Sequence, residues 1–182
     1  MTEQLRPLIS ARRIKKRVGE LARKIEEDHR GASLTLVIVL KGAAIFAADL
    51  MRQITTPFAI EFVQAASYGE RARSSGTVAL SELSHLDIAG HRVIVIEDIV
   101  DTGLTIATLM AELRRLAPVS LDVCALLYKP AATATPVDIR YIGFAIPNEF
   151  VVGYGMDYAE RYRNLPGVYR LVRGLKPPLE IS

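Results

Sequence analysis

The stretch that most constrains this chain spans residues 93–109. It opens with Val93, Ile94, Val95 and Ile96, turns acidic at Glu97, Asp98 and Asp101, and closes with Thr102, Gly103, Leu104 and Thr105. An unbroken apolar run of this kind suits a strand buried on both faces of a parallel sheet. The spacing that follows predicts a helix over residues 104–116. Strand, acidic loop and helix start therefore follow one another directly. In open α/β sheets ligands bind beyond the carboxyl ends of the strands, and this loop falls there.

The loop can be read residue by residue. Thr102, Gly103 and Thr105 stand where a helix begins. Free N–H groups and the positive end of the helix dipole collect at such a point and favour a phosphate. Two hydroxyls add donors, and Gly103 lets the backbone approach closely. Glu97 and Asp98 accept hydrogen bonds when ionised, which suits a sugar diol or a hydrated Mg²⁺. A phosphate cradle beside two acids points to a ribose 5-phosphate. Asp101 lies between the two and is available as an acid or base. The bland alternative is an ordinary loop with an N-cap, which would seldom gather three carboxylates at one strand end.

Composition bounds the remainder. The 182 residues, 50% of them hydrophobic, fit one domain with a sizeable core. A net charge of +3 permits anionic substrates without indicating nucleic acid. Cys124 is the single cysteine, which excludes an intrachain disulfide framework, and its apolar surroundings suit an inert core thiol. No secretory segment follows Met1 and no apolar run is long enough to span a bilayer, so a cytoplasmic, soluble protein with no membrane partner is expected.

Along the chain, Ser10 is placed to cap a helix running to about Asp28, with Ile14, Val18, Leu21 and Ile25 as its apolar stripe. Arg12, Arg13, Lys15, Lys16 and Arg17 read as a solvated helix face rather than a nucleic-acid patch. Leu34–Leu40 is a second buried strand, followed by Lys41, Gly42 and a helix over residues 43–54. Exposed N–H groups and a lysine at a strand end suit pyrophosphate. Residues 58–63 read as a strand, and residues 67–76 as a polar segment hinged by Gly69 and Gly76. A return strand is expected over residues 77–83, and buried strands over residues 121–128 and 141–145. His85 and His91 lack metal-ligand spacing and read as surface residues. Gly153-x-Gly155 is no dinucleotide fingerprint, since the third glycine is missing.

Taken together, residues 93–109 resemble the phosphoribosyl-pyrophosphate signature of the type I phosphoribosyltransferases. Three further matches point to the hypoxanthine-guanine branch of that family. These are the loop Leu40-Lys41-Gly42-Ala43, the lid dipeptide Ser67-Tyr68, and residues 146–163 with Phe150, Val151, Asp157, Tyr158 and Arg163. The resemblance covers roughly residues 34–171.

The resemblance implies an open, mostly parallel twisted sheet with helices on both faces and a small hood. The core would span roughly residues 30–145, and the hood would come from the N-terminal segment and roughly residues 146–175, all in one domain. It implies purine salvage: transfer of the phosphoribosyl group to N9 of hypoxanthine or guanine, giving the nucleoside monophosphate and pyrophosphate. It implies that Thr102, Gly103, Leu104 and Thr105 hold the 5′-phosphate, and that Glu97 and Asp98 hold the ribose hydroxyls. Lys41, Gly42 and Arg163 would neutralise pyrophosphate, with an often cis peptide before Lys41. Phe150 would stack on the base, Val151 would read its edge, Lys129 would meet its 6-oxo group, and Asp101 would handle the N7 proton. Asp157, beside the base, would join Glu97 and Asp98 around Mg²⁺. Ser67 and Tyr68 would form a lid that excludes water. Relatives are commonly dimers or tetramers. Leu104 departs from the pattern, since some relatives carry Lys there.

Two rival classes are open to the same residues. A related fold serves as a nucleotide-sensing RNA regulator, which a basic face would betray. Asp101-Thr102-Gly103 is also the triplet of aspartic proteases, whose mechanism needs two carboxylates sharing a proton.

Overall fold

The computed structural model describes residues 2–67, 78–80, 83 and 85–174. In chain order the first elements are β1 (Thr2–Ile9), α1 (Ala11–Asp28), β2 (Leu34–Leu40), α2 (Ala44–Met51), β3 (Phe58–Ser67) and β4 (Val78–Leu80). They are followed by β5 (Arg92–Val100), α3 (Leu104–Arg115), β6 (Ser120–Tyr128), β7 (Tyr141–Ala145), β8 (Val151–Val152) and β9 (Val168–Gly174).

The unbroken apolar runs divide between two cores. β2 sends Leu34, Leu36 and Ile38 to one core and Val37 and Val39 to the other. β5 splits Ile94 and Ile96 from Val93 and Val95, and β6 splits Cys124 and Leu126 from Val123 and Ala125. Successive side chains leave opposite faces of a strand, so one covered on both sides is apolar throughout. α1 and α2 close the first core through Ile14, Val18, Leu21, Ile25, Phe46 and Leu50. α3 closes the second through Ile106, Leu109 and Leu113. Helices thus cover both faces. Burial holds the Cys124 thiol far above its ordinary range, as suits an inert core residue.

The main sheet has the order β4-β3-β2-β5-β6-β7. Its five strands from β3 to β7 are parallel, and only β4 runs antiparallel. From β2 the chain crosses to β3 on one side, and from β5 it proceeds to β6 on the other. The order therefore reverses between β2 and β5, and the loops leaving those strands open side by side at the switch point.

A second, antiparallel sheet has the order β1-β9-β8. Its strands are not evident in the sequence: β1 contains Pro7 and a register shift, and β8 has two residues. Ile9, Val151 and Val168 nevertheless join the core that α1 covers.

Ser10 caps α1, its hydroxyl accepting from the Arg13 N–H at 3.4 Å. The basic cluster is only partly a solvated face. Arg17 donates to the carbonyls of Gly143 (2.9 Å) and Ile142 (2.7 Å), and Arg13 lies 5.6 Å from the centre of the Phe144 ring. Both contacts cover the edge strand β7.

Some boundaries differ from expectation. α2 stops at Met51, where tight turns close through Gln53 N–H to Leu50 and Ile54 N–H to Met51. β3 runs on to Ser67, which pairs with Val78, while Tyr68 and the rest of the expected lid lie outside the described residues. His91 is half-buried rather than on the surface, and its Nδ1 lies 2.9 Å from the Thr35 hydroxyl.

The titratable group that sequence reasoning passed over is His29, at the far end of the sheet. It is buried, with Nε2 3.1 Å from the Tyr141 hydroxyl. Tyr141 donates its own hydrogen to Asp28, so Nε2 of His29 carries the hydrogen in that contact. Nδ1 is then the unprotonated nitrogen, and it has no hydrogen-bond partner among the described residues. Burial lowers the pKa of His29, against the attraction of Asp122 at 3.8 Å. The unfolded chain therefore binds the extra proton more readily. Stability should fall as pH drops through about 6.5, the unperturbed histidine value. Thermal midpoints at pH 7.5 and 5.5 should show a smaller drop in His29→Gln than in the parent. Equal drops would mean that other groups set the acid sensitivity.

Candidate active site

The loop after β5 is shaped by Gly103. Its φ of 84° lies in the left-handed region, and an added Cβ would come within 2.2 Å of the Thr135 carbonyl oxygen. Only glycine allows both the turn and the close contact. α3 starts there with no side-chain cap and no acidic residue in its first turn. Thr102 gives the Leu104 N–H only a long contact, at 3.4 Å. The helix N-terminus therefore keeps its donors and positive dipole available for an anion.

Glu97 and Asp98 come from the end of β5, the first buried and the second half-buried. Burial, then repulsion from Asp98, pushes the Glu97 carboxyl well above the usual range. Burial also raises Asp98, while the Ile99 N–H at 2.7 Å, the Glu97 carboxyl and the Arg163 charge hold it down. Of the two carboxyls, Glu97 is the more strongly raised. One oxygen of Glu97, Oε2, is buried without a partner. Gly42 lies directly against this pair: a Cβ there would come within 1.7 Å of Asp98 Oδ2. The loop after β2 can approach the acids only as glycine. The Leu40–Lys41 peptide ahead of it is cis.

Register explains the next contact. Val100 on β5 stands opposite Tyr128 on β6, so Asp101 and Lys129 leave adjacent strands side by side. Lys129 Nζ donates to Asp101 Oδ2 at 2.7 Å; the lysine is 5% exposed and the Asp101 side chain 46%. Sequence reasoning placed both residues beside one ligand but not against each other. Thr133, which it missed, bridges the pair: its hydroxyl lies 3.0 Å from the carbonyls of both Asp101 and Lys129, which share its one hydrogen. The N–H groups of Ala134 and Thr135 bind the Thr102 carbonyl and pin this turn under the loop.

Residues 146–163 supply the remaining side. Arg163 forms an ion pair with Asp157 Oδ1 (2.7 Å) and donates to the Gly155 carbonyl (2.8 Å), while its Nε is buried without a hydrogen-bond partner among the described residues. Asp157 Oδ2 accepts the Glu160 N–H. The Glu160 carboxylate lies 3.5 Å from both Arg163 and Lys41, so the two cations expected at one anion do converge. Phe150 is 43% exposed and meets Tyr158 edge-on, with ring centres 5.7 Å apart. Its ring is therefore available for stacking. Val151 is buried in β8, opposite Arg170. Among the described residues no three His, Cys, Asp or Glu side chains form a ready metal cage.

Residues 8–159 match the model of the phosphoribosyl transferase domain family. The hypoxanthine-guanine phosphoribosyltransferase of Mycobacterium avium is 48% identical over 164 residues, covering 87% of this chain and 81% of that protein. The hypoxanthine phosphoribosyltransferase of Salmonella typhimurium is 39% identical over 174 residues, covering 94% and 98%. In three dimensions the chain is similar to a crystal structure of a hypoxanthine-guanine phosphoribosyltransferase from Bacillus anthracis. The TM-score is 0.87 at 40% identity, covering 94% of this chain and all of that one.

Proposed function

This chain belongs to the phosphoribosyl transferase domain family, and we propose that within it the protein is a purine-salvage enzyme. It transfers the 5-phosphoribosyl group of phosphoribosyl pyrophosphate to N9 of hypoxanthine or guanine. The products are the nucleoside monophosphate, IMP or GMP, and pyrophosphate. The observation that carries this reading is the loop after β5. Within a few residues it joins the acid pair of buried Glu97 and half-buried Asp98, an Asp101 held by the buried Lys129, and an uncapped helix N-terminus.

Each part has a task. Residues 102–105 hold the 5′-phosphate, Leu104 through its backbone. Asp98 and Glu97 meet the ribose hydroxyls. N9 of the base attacks C1′ as the bond from C1′ to the pyrophosphate oxygen breaks, and that oxygen leaves with the electron pair. Lys41, the Gly42 backbone and Arg163 stabilise the departing charge. Phe150 stacks on the base, with Val151 and Asp157 at its edge, Lys129 donates to the 6-oxo oxygen, and Asp101 accepts the N7 proton. Positioning and charge stabilisation supply most of the rate. Ser67 and Tyr68 belong to a lid that keeps water from the activated sugar.

The donors suit Mg²⁺, which takes one or two carboxylates and completes its shell with substrate oxygens and waters. Glu97, Asp98 and Asp157 are the carboxylates on hand, and Oε2 of Glu97 is buried with no hydrogen-bond partner among the described residues. When bound, the ion would neutralise charge on the pyrophosphate. The protease reading fits poorly, because Asp101 faces a lysine rather than a second carboxylate.

Self-association into a dimer or tetramer belongs to the same proposal. It is supported by exposed Ile45 on α2 and exposed Ile60 and Phe62 on β3. A cytoplasmic setting without nucleic-acid or membrane partners goes with it; no helix among the described residues is long and apolar enough to cross a membrane.

A panel of nucleobases with phosphoribosyl pyrophosphate and Mg²⁺, followed by pyrophosphate release, tests the activity. Hypoxanthine or guanine should be used and adenine rejected. Release with none of the bases would overturn the assignment. The cradle is tested by Thr105→Val, which removes one hydroxyl at constant size. The Michaelis constant for phosphoribosyl pyrophosphate should rise roughly 10- to 150-fold, the scale of one hydrogen bond to a charged group. That for the base should stay put. Equal changes for both substrates would place Thr105 away from the phosphate.

A further inference from the structure

We infer that Tyr154 is a positioning residue for the pyrophosphate loop. Its hydroxyl anchors residues 153–155 to α2, and the glycine that follows it bears directly on Gly42. The inference rests on reading residues 41–43 as the pyrophosphate site.

Tyr154 is buried, and its hydroxyl donates to Asp49 Oδ2 at 2.7 Å, joining parts of the chain 105 residues apart. Burial and the Asp49 acceptor both raise the phenol above its ordinary range, so it remains a donor. The other Asp49 oxygen accepts from Arg52 at 3.1 Å. Asp49 belongs to the helix into which the pyrophosphate loop runs. A tie to Asp49 is therefore a tie to the element that carries the loop.

The backbone at Tyr154 gives that tie a consequence. Its φ of 50° is left-handed, between Gly153 at 97° and Gly155 at 101°. A tyrosine adopts that region only when its surroundings impose it. Two bonds hold the segment in place: Tyr154 N–H to the Leu165 carbonyl (2.8 Å) and Gly155 N–H to the Arg163 carbonyl (3.0 Å). A Cβ on Gly155 would come within 2.2 Å of the Gly42 carbonyl oxygen. A Cβ on Gly42 would in turn meet Asp98. Residues 153–155, the pyrophosphate loop and the acid pair are thus stacked with no side chain between the two glycines. Displacement of the first layer reaches the other two. The Lys41–Glu160 pair adds a second tie, but an exposed one.

Tyr154→Phe keeps the ring and removes the anchor. The Kd for inorganic pyrophosphate and the Michaelis constant for phosphoribosyl pyrophosphate should rise roughly three- to tenfold, the part passed on to the loop of a hydrogen bond to a carboxylate that is worth roughly 10- to 150-fold in full. The Michaelis constant for hypoxanthine should stay unchanged. Asp49→Asn retains an acceptor and should resemble the parent. Asp49→Leu should reproduce the Tyr154→Phe effect, and the double variant should be no worse than either single one. Equal effects on both substrates, or a lower melting midpoint with unchanged pyrophosphate binding, would overturn the inference. Lys41→Ala in the same assay separates the two levels. If it leaves pyrophosphate binding intact, the loop itself is misread and the inference falls with it. If it weakens binding while Tyr154→Phe does not, the loop reading stands and the positioning role is wrong.

Discussion

Replacing Asp101 with Asn should cut turnover by roughly 10²–10⁴-fold, the usual contribution of a general base, with little loss of phosphoribosyl pyrophosphate binding. Asparagine is the informative replacement because of Lys129. The lysine ammonium is buried, 2.7 Å from Asp101 Oδ2. Alanine would leave that charge without a partner, and a misplaced lysine would confuse the result. Asparagine keeps an oxygen for the lysine and removes only the capacity to take a proton. Steady-state rates and calorimetric binding of phosphoribosyl pyrophosphate separate the two effects. A variant with parental turnover would show that the proton leaves the base by another route.

The second large effect concerns base selection. An ammonium only donates hydrogen bonds. Hypoxanthine and guanine present an acceptor at the 6 position, whereas adenine presents an amino group. Two donors face to face leave a buried polar group unpaired, which costs roughly 1–3 kcal/mol. Lys129→Ala should therefore lower the specificity constant for 6-oxopurines and narrow their advantage over adenine by about 5- to 150-fold, the same energy expressed as a ratio. A surface lysine before a proline turn would change nothing, but Lys129 is neither exposed nor free. Because Lys129 and Asp101 touch, their effects should not add, and the double variant measures the coupling. A mutant that discriminates as sharply as the parent would remove Lys129 from the base site.

The parallel core was legible because its strands are apolar without interruption and each ends in a chemically distinctive loop. Leu34–Leu40 and the stretch from Val93 declare themselves locally, and Thr102 to Thr105 announce a helix start that the structure leaves uncapped. What stayed hidden depends on partners distant in sequence. The contact of Lys129 with Asp101 follows from the pairing of Val100 with Tyr128, which local pattern does not reveal. β1 is interrupted by Pro7 and β8 is two residues long, and both acquire meaning only when paired with β9. Gly153 and Gly155 were noticed in the sequence, but their positive φ and the Tyr154 anchor to Asp49 require the fold. His29 carried no motif, and its burial arises from packing against Tyr141 at the start of β7.

On this reading the loop after β5 serves a transfer from a phosphorylated sugar to a purine rather than to water. Phosphorus NMR of the protein with phosphoribosyl pyrophosphate, Mg²⁺ and hypoxanthine tests it directly. Pyrophosphate and a nucleoside 5′-monophosphate should appear in equal amounts, only when the base is present, and be nearly abolished in Asp101→Asn. Consumption of phosphoribosyl pyrophosphate at the same rate without a base, or none with any 6-oxopurine, would contradict the account.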